Sequence, residues 1–239
     1  MSVSRTWMPA IALLVAVGLT GCGGRPGPVT AKPEPAAQPN PPAEQPESPA
    51  EQPPPEQAGP GARQNAALAA VEKLGGQCSV DRTNPDKPLV VSVDLRNTPA
   101  GDDDLSQIEK LSRVEELYLS STKVTNAGLE HLRGLADLRK LYLSGTRVDD
   151  AGLAHLKGLA DLETLSLSST EITDAGLAHL AGLENLEELV LYGTHVTDAG
   201  LDHLSGLTKL RKLQLSGTHV TDEGVEKLRQ ALPDCEITR

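Results

Sequence analysis

Four histidines, His131, His155, His179 and His203, recur every 24 residues, and imidazoles held in register could line up as metal ligands or proton carriers. A metal site needs ligands converging at about 2 Å on one point. No paired carboxylate or Cys stands beside these histidines at ligand spacing, so they read as framework residues that bond to a neighbouring loop. His195 and His219, each directly after a repeated Thr, read the same way. Asp102, Asp103 and Asp104 would suit a calcium ion, but acidic residues at a helix start already interact favourably with its dipole, and capping is the expectation. Repeated serines such as Ser120 and Ser144 lack a neighbouring His to act as base. The chain has no Gly-x-Ser-x-Gly elbow, phosphate loop, His-Glu-x-x-His or metal-spaced Cys pair. The residues therefore predict no catalysis, no metal and no cofactor.

What remains is binding chemistry. The chain has three tyrosines, Tyr118, Tyr142 and Tyr192, a residue type that offers rigid amphipathic area at low entropic cost. Phe is absent and the single Trp is Trp7, so any core must be built from Leu, Val, Ile and Ala. The net charge of -11 opposes phosphate binding and predicts no nucleic-acid partner.

The elements that position these side chains follow from a strict period. Thr98, Thr122, Thr146, Thr170, Thr194 and Thr218 stand 24 residues apart, the mark of a solenoid. Leu117 and Leu119, like Leu141 and Leu143, alternate with period two and predict a short strand in each unit. Thr125, Asp149, Thr173, Thr197 and Thr221 then read as helix N-caps, followed by Asn126, Asp150, Asp174, Asp198 and Asp222 in the first turn. Leu129, Leu132 and Leu135 bury the helix, and Gly134, Gly158, Gly182 and Gly206 read as left-handed helix stops. Stacked units predict a parallel sheet on the concave side with helices outside.

The stretch Leu-x-x-Leu-x-Leu-x-x-Thr-x-Val, seen at Leu138 to Val148 and Leu210 to Val220, resembles the leucine-rich-repeat family over about residues 89–239. The family usually has Asn or Cys where this chain has Thr, whose hydroxyl can still bond to nearby backbone. The resemblance implies an α/β fold, a right-handed βα superhelix with a concave parallel sheet and short outer helices, and a protein or peptide partner on that sheet. The Val-Thr-Asp-Ala-Gly-Leu pattern also resembles the repeats of F-box ubiquitin-ligase adaptors, although no F-box-like segment is evident.

Positions that differ between units on the exposed strand face fall in three columns. The first runs Ser92, Glu116, Lys140, Thr164, Glu188 and Lys212. The second runs Asp94, Tyr118, Tyr142, Ser166, Val190 and Gln214, and the third Arg96, Ser120, Ser144, Ser168, Tyr192 and Ser216. All three tyrosines fall in these columns, with Tyr118 and Tyr142 expected about 5 Å apart. Tyr118, Tyr142, Tyr192, Val190, Glu116, Lys140, Glu188 and Lys212 are the candidate ligand-binding residues. Alternative readings of the same face are strand decoration in a structural spacer and stacking on cell-wall glycan.

The N-terminus has a different character. Residues 1–21 carry Arg5, an apolar run too short for the roughly 20 residues of a membrane span, and Leu19-Thr20-Gly21-Cys22. Those four residues resemble the lipobox of bacterial lipoproteins, which implies a cleaved signal peptide and a lipidated Cys22. An ordinary cleaved signal with a chance Cys is the alternative. Gly23 replaces the Asp that retains some lipoproteins in the inner membrane, and so favours an outer one. Residues 22–61 hold 13 of the 18 prolines, almost no large apolar side chain and no means of forming a core, which predicts a disordered tether of up to about 100 Å.

The resulting expectation is an exported monomer, lipid-anchored through Cys22 to the bacterial cell envelope. Residues 62–88 form an N-terminal cap in this reading: a helix carrying Leu68, Val71 and Leu74, then a strand that turns at Asn84-Pro85-Asp86. Residues 89–239 form about six units, closed where Pro233 stops the last helix and Ile237 falls one period after Leu213. Cys78 and Cys235, at opposite ends and about 30 Å apart by strand spacing, are expected to be separate buried thiols.

Overall fold

The computed structural model describes residues 60–81, 89–111 and 113–239. The predicted signal peptide, Cys22, the tether up to residue 59 and the Asn84-Pro85-Asp86 turn lie outside the described residues.

The described chain begins with α1 (Pro60–Lys73), β1 (Gln77–Asp81) and β2 (Leu89–Asp94). Strand–helix units follow: α2 (Asp102–Ile108), β3 (Glu116–Tyr118), α3 (Asn126–Leu129), β4 (Lys140–Tyr142), α4 (Asp150–Leu153) and β5 (Thr164–Ser166). The chain continues through α5 (Asp174–Leu177), β6 (Glu188–Val190), α6 (Asp198–Leu201), β7 (Lys212–Gln214), α7 (Asp222–Ala231) and β8 (Glu236–Thr238). One sheet takes the strands in chain order. β1 pairs antiparallel with β2, with an irregularity between Ser79 and Val80, and every later pair is parallel. The register advances one repeat per strand, so Leu117, Leu141, Leu165, Leu189, Leu213 and Ile237 stand side by side.

A three-residue strand buries little by itself. Stability comes from stacking, since each unit lays its leucines on those of its neighbours. Leu117, Leu119, Leu129, Leu132 and Leu138, and their equivalents in the following units up to Leu189 and Leu191, are fully buried in one continuous core. At the N-terminal end α1 closes that core with Ala67 and Val71, while Leu68 and Leu74 are only half-buried. At the C-terminal end Val225, Leu228, Leu232 and Ile237 cover the last unit.

The repeated Thr closes a turn. Thr122, Thr146, Thr170 and Thr194 are buried and donate their hydroxyls to the carbonyl three residues back, at 2.7, 2.7, 2.5 and 2.8 Å. Buried polar groups are costly unless bonded, and a hydroxyl turned onto its own turn satisfies both partners.

The expected left-handed helix stops are not where the chain turns sharply. Gly134, Gly158, Gly182 and Gly206 are absent from the residues with positive φ. The short helices leave through right-handed 3-10 turns such as Glu130–Leu132 and Ala154–Leu156, and the Leu135 N–H bonds to the Leu132 carbonyl at 3.0 Å. The left-handed conformation falls just after each strand instead, at Asn97, Ser121, Gly145, Ser169, Gly193 and Gly217, with φ between 54° and 73°. These six positions are again 24 residues apart.

Cys235 is buried and Cys78 half-buried, both as free thiols. Burial, with the charge of Glu72 adding to it, pushes the Cys78 thiol up to about 11, so neither its exposure nor its ionisation suits a reactive nucleophile. No described helix is long and apolar enough to cross a membrane.

Candidate functional site on the strand face

The repeated Thr-Asp-x-Gly segment fixes one unit on the next and thereby sets the spacing of the face. Thr125, Asp149, Thr173 and Thr197 are the N-caps, each accepting from the backbone N–H two residues on. Thr221 caps α7 by accepting from the Gly224 N–H. The Asp that follows each cap turns to the next unit. Asp150 accepts from the backbone N–H and hydroxyl of Thr173 at 2.8 and 2.6 Å. Asp102 does the same for Thr125, Asp174 for Thr197 and Asp198 for Thr221. Asn126 continues the pattern with Asp149, accepting from its backbone N–H at 2.9 Å. Asp104 accepts from the Gly101 N–H at 2.9 Å and closes the start of α2. Two of the three clustered aspartates are therefore engaged as structural acceptors.

The histidine column is uneven. His131 Nδ1 lies 2.9 Å from the Glu109 carboxylate of the preceding unit. One repeat on, the sequence has Arg133, which has only donors to offer, at the position equivalent to Glu109, and His155 Nδ1 is buried without a hydrogen-bond partner. The expectation that every histidine of this column bonds to its neighbour is thus corrected. His195 and His219 stack with ring centroids 6.1 Å apart, and His195 Nε2 stands 3.3 Å from Glu171. Among the described residues no three His, Cys, Asp or Glu side chains converge on a point where a metal could sit.

On the strand face Tyr118 and Tyr142 stack with centroids 4.8 Å apart and rings 4° from parallel, a separation set by the strand spacing. The Arg96 guanidinium covers the Tyr118 ring at 4.9 Å. The Tyr118 hydroxyl donates to Glu116 Oε2 at 3.0 Å. Burial, and the loss of that bond on ionisation, raise the Tyr118 phenol above its usual range.

The sequence leaves open whether the face's charges await a ligand. The structure pairs them with one another. Lys140 Nζ reaches Glu116 at 2.7 Å, Lys212 Nζ reaches Glu188 at 2.9 Å, and Arg96 reaches Asp94 at 2.5 Å. The bond from Arg96 holds the Asp94 carboxyl below its usual range, and the bond from Lys140 does the same for Glu116. Thr164 and Ser166, between the tyrosine pair and β6, are buried, and the Ser144 and Ser166 hydroxyls bond at 2.8 Å.

Tyr192 differs from the other two tyrosines. It is 53% exposed, the only large apolar side chain so placed among the described residues. Its ring rests beside Gly217 of the next unit, where a Cβ would lie 3.7 Å from Cε2. Val190, two residues earlier, is half-buried on the same face.

A sheet of one-strand units in constant register, with a buried leucine core and an open strand face, defines a repeat solenoid. The leucine rich repeat family model matches residues 160–220, and the fold is an α/β solenoid of leucine-rich-repeat type. An internalin of Listeria monocytogenes is 25% identical over 56% of this chain and 36% of its own length, with a TM-score of 0.49. A leucine-rich-repeat protein of Leptospira interrogans is 23% identical over 56% of this chain and 33% of its own, with a TM-score of 0.44. Internalin C2 of Listeria monocytogenes is 19% identical over 72% of this chain and 92% of its own, with a TM-score of 0.41. This chain spans about a third of the length of the first two of these proteins. The comparison with curated proteins gives no match.

Proposed function

We propose that this chain is a non-catalytic binding protein whose strand face docks a protein or peptide partner, and that it is exported and held at a bacterial cell envelope by acyl chains on Cys22. The observation that carries the docking site is the exposed Tyr192 on a face that also holds the Tyr118–Tyr142 stack. Interfaces concentrate their energy in a few aromatic anchors set in a surface that is otherwise neutral in energy. An open sheet of rigid units presents such an anchor without ordering costs.

The anchor reading rests on the sequence of residues 19–22. Several acyl chains, at about 0.8 kcal/mol per buried methylene, hold a protein stably on a membrane. Metabolic labelling with an alkyne fatty acid tests it. Label on the wild-type chain that disappears in Cys22→Ala supports the reading, and equal label on both contradicts it.

The docking reading is tested by alanine at Tyr192 and Tyr142. Affinity for the partner should fall about tenfold or more for Tyr192→Ala, with circular dichroism unchanged. Unchanged affinity in the double variant would move the function to the edges of the sheet, as in a structural spacer.

A further inference from the structure

We infer that the partner segment seated on this face is an uncharged stretch of polypeptide carrying an aromatic side chain that packs on Tyr192; the inference rests on the docking reading above. The chain as a whole has a net charge of -11, yet its strand face from β2 to β7 is balanced. Three acids and three bases stand in its columns, and each is bonded to another: Asp94 with Arg96, Glu116 with Lys140, Glu188 with Lys212. On β8, Glu236 lies beside Lys212 and adds to the field on it.

A charged partner gains little on such a surface. To pair with Lys140 or Lys212 it must displace a carboxylate already there, exchanging one ion pair for another while stripping water from its own charge. An uncharged segment covers the existing pairs without competing for them. Charges at the rim, such as Lys123 and Arg147, stay exposed to water and act on encounter rate more than on the strength of the seated complex.

The same closure disfavours a glycan. Sugar rings are held by stacking together with many directed hydrogen bonds to carboxylates and hydroxyls. Here the carboxylates are committed to ion pairs, the Ser144 and Ser166 hydroxyls to each other, and Thr164 and Ser166 are buried. What the face leaves free is uncharged: the Tyr192 ring with half-buried Val190 beside it, and the half-buried side chains of Ser120, Ser168, Gln214 and Ser216, with no unpaired carboxylate in the columns to grip a sugar's hydroxyls. Aromatic pairs add to the simple burial of their area.

The test uses the full chain in detergent micelles, panned against a random 12-residue peptide display library, with chitin oligosaccharide as a separate probe. Recovered peptides should carry at least one aromatic residue and almost no net charge. Their affinity should change less than about threefold between about 50 and 500 mM NaCl, since screening acts on unpaired charges. Tyr192→Ala should weaken them about tenfold or more. Recovery of strongly acidic or basic peptides that still depend on Tyr192, with affinity falling more than about tenfold across that salt range, would overturn this inference and leave the docking reading standing. Peptides indifferent to Tyr192→Ala would overturn the docking reading itself. Saturable chitin binding lost in Tyr192→Ala, or the recovery of no peptide at all, would equally overturn the polypeptide inference.

Discussion

Asp150 accepts two hydrogen bonds from Thr173 of the following unit, at 2.8 and 2.6 Å, and Gly176 makes room for it: a Cβ at Gly176 would sit 2.3 Å from Asp150 Oδ1. Asp and Gly are thus one device spread over two units. The same clash, at 2.5 Å or less, would meet a Cβ at Gly128, Gly152, Gly200 and Gly224. Asp150→Ala should lower stability by about 2 kcal/mol, because it leaves a half-buried cap with its donors unpaired. Gly176→Ala should cost at least as much through overpacking, about 1–3 kcal/mol. Urea denaturation of the double variant checks the coupling: its loss should fall short of the sum by about 1 kcal/mol or more, since removing the carboxylate relieves the clash.

The left-handed column yields a stabilising change. Ser121 and Ser169 sit at φ of 59° and 54°, where Gly145, Gly193 and Gly217 occupy the same place in other units. A side chain in that region crowds its own backbone, and Gly does not. Ser169→Gly should therefore raise the unfolding free energy by about 0.5–1 kcal/mol, and Gly193→Val should lower it by more than about 1 kcal/mol. Denaturant midpoints at constant slope measure both.

Acid should weaken the fold in a defined window. The Arg96 hydrogen bond lowers the Asp94 carboxyl, that from Lys140 lowers Glu116, and that from Thr221 lowers Asp198. Each folded-state value lies below its unfolded value, so the stability these groups contribute is present above the unfolded carboxylate range, about 4, and is lost as pH falls through the folded values. The denaturant midpoint should be level between about pH 5 and 7 and drop below about pH 4. Asp198→Asn should show a shallower drop than wild type.

How much of this was legible in the sequence depends on whether a contact lies within a unit or between units. Thr173 as N-cap and Leu177 as core residue follow from local periodicity, because both are decided within a few residues of chain. The fold class follows for the same reason. Asp174 was readable only as a first-turn acid; its bonds to Thr197 cross to the next unit, and composition does not show which way a side chain leans. The recurrence of Gly128, Gly152, Gly176, Gly200 and Gly224 was the available signal, since a Gly inside a helical turn asks for a reason.

The sequence points to Gly134 and its equivalents for the left-handed residues because Gly is the usual mark of such a turn, and the exit through 3-10 turns removes the need for it there. At Ser121 and Ser169 the residue type conceals the conformation. Of the candidate site, the tyrosine stack followed from strand spacing. The mutual pairing of Glu116 with Lys140 was implicit in their adjacency, but whether they face a ligand or each other is a matter of rotamers.

The central claim, that the strand face around Tyr192 is where this protein meets a polypeptide partner, is tested most directly by site-specific photocrosslinking in cells. A photoreactive residue is placed at Tyr192, at Val190, and at exposed Arg133 away from the strands. The account predicts the same discrete protein adduct from positions 192 and 190 and none from position 133. Adducts of equal yield from position 133, or none from the strand face, would contradict it.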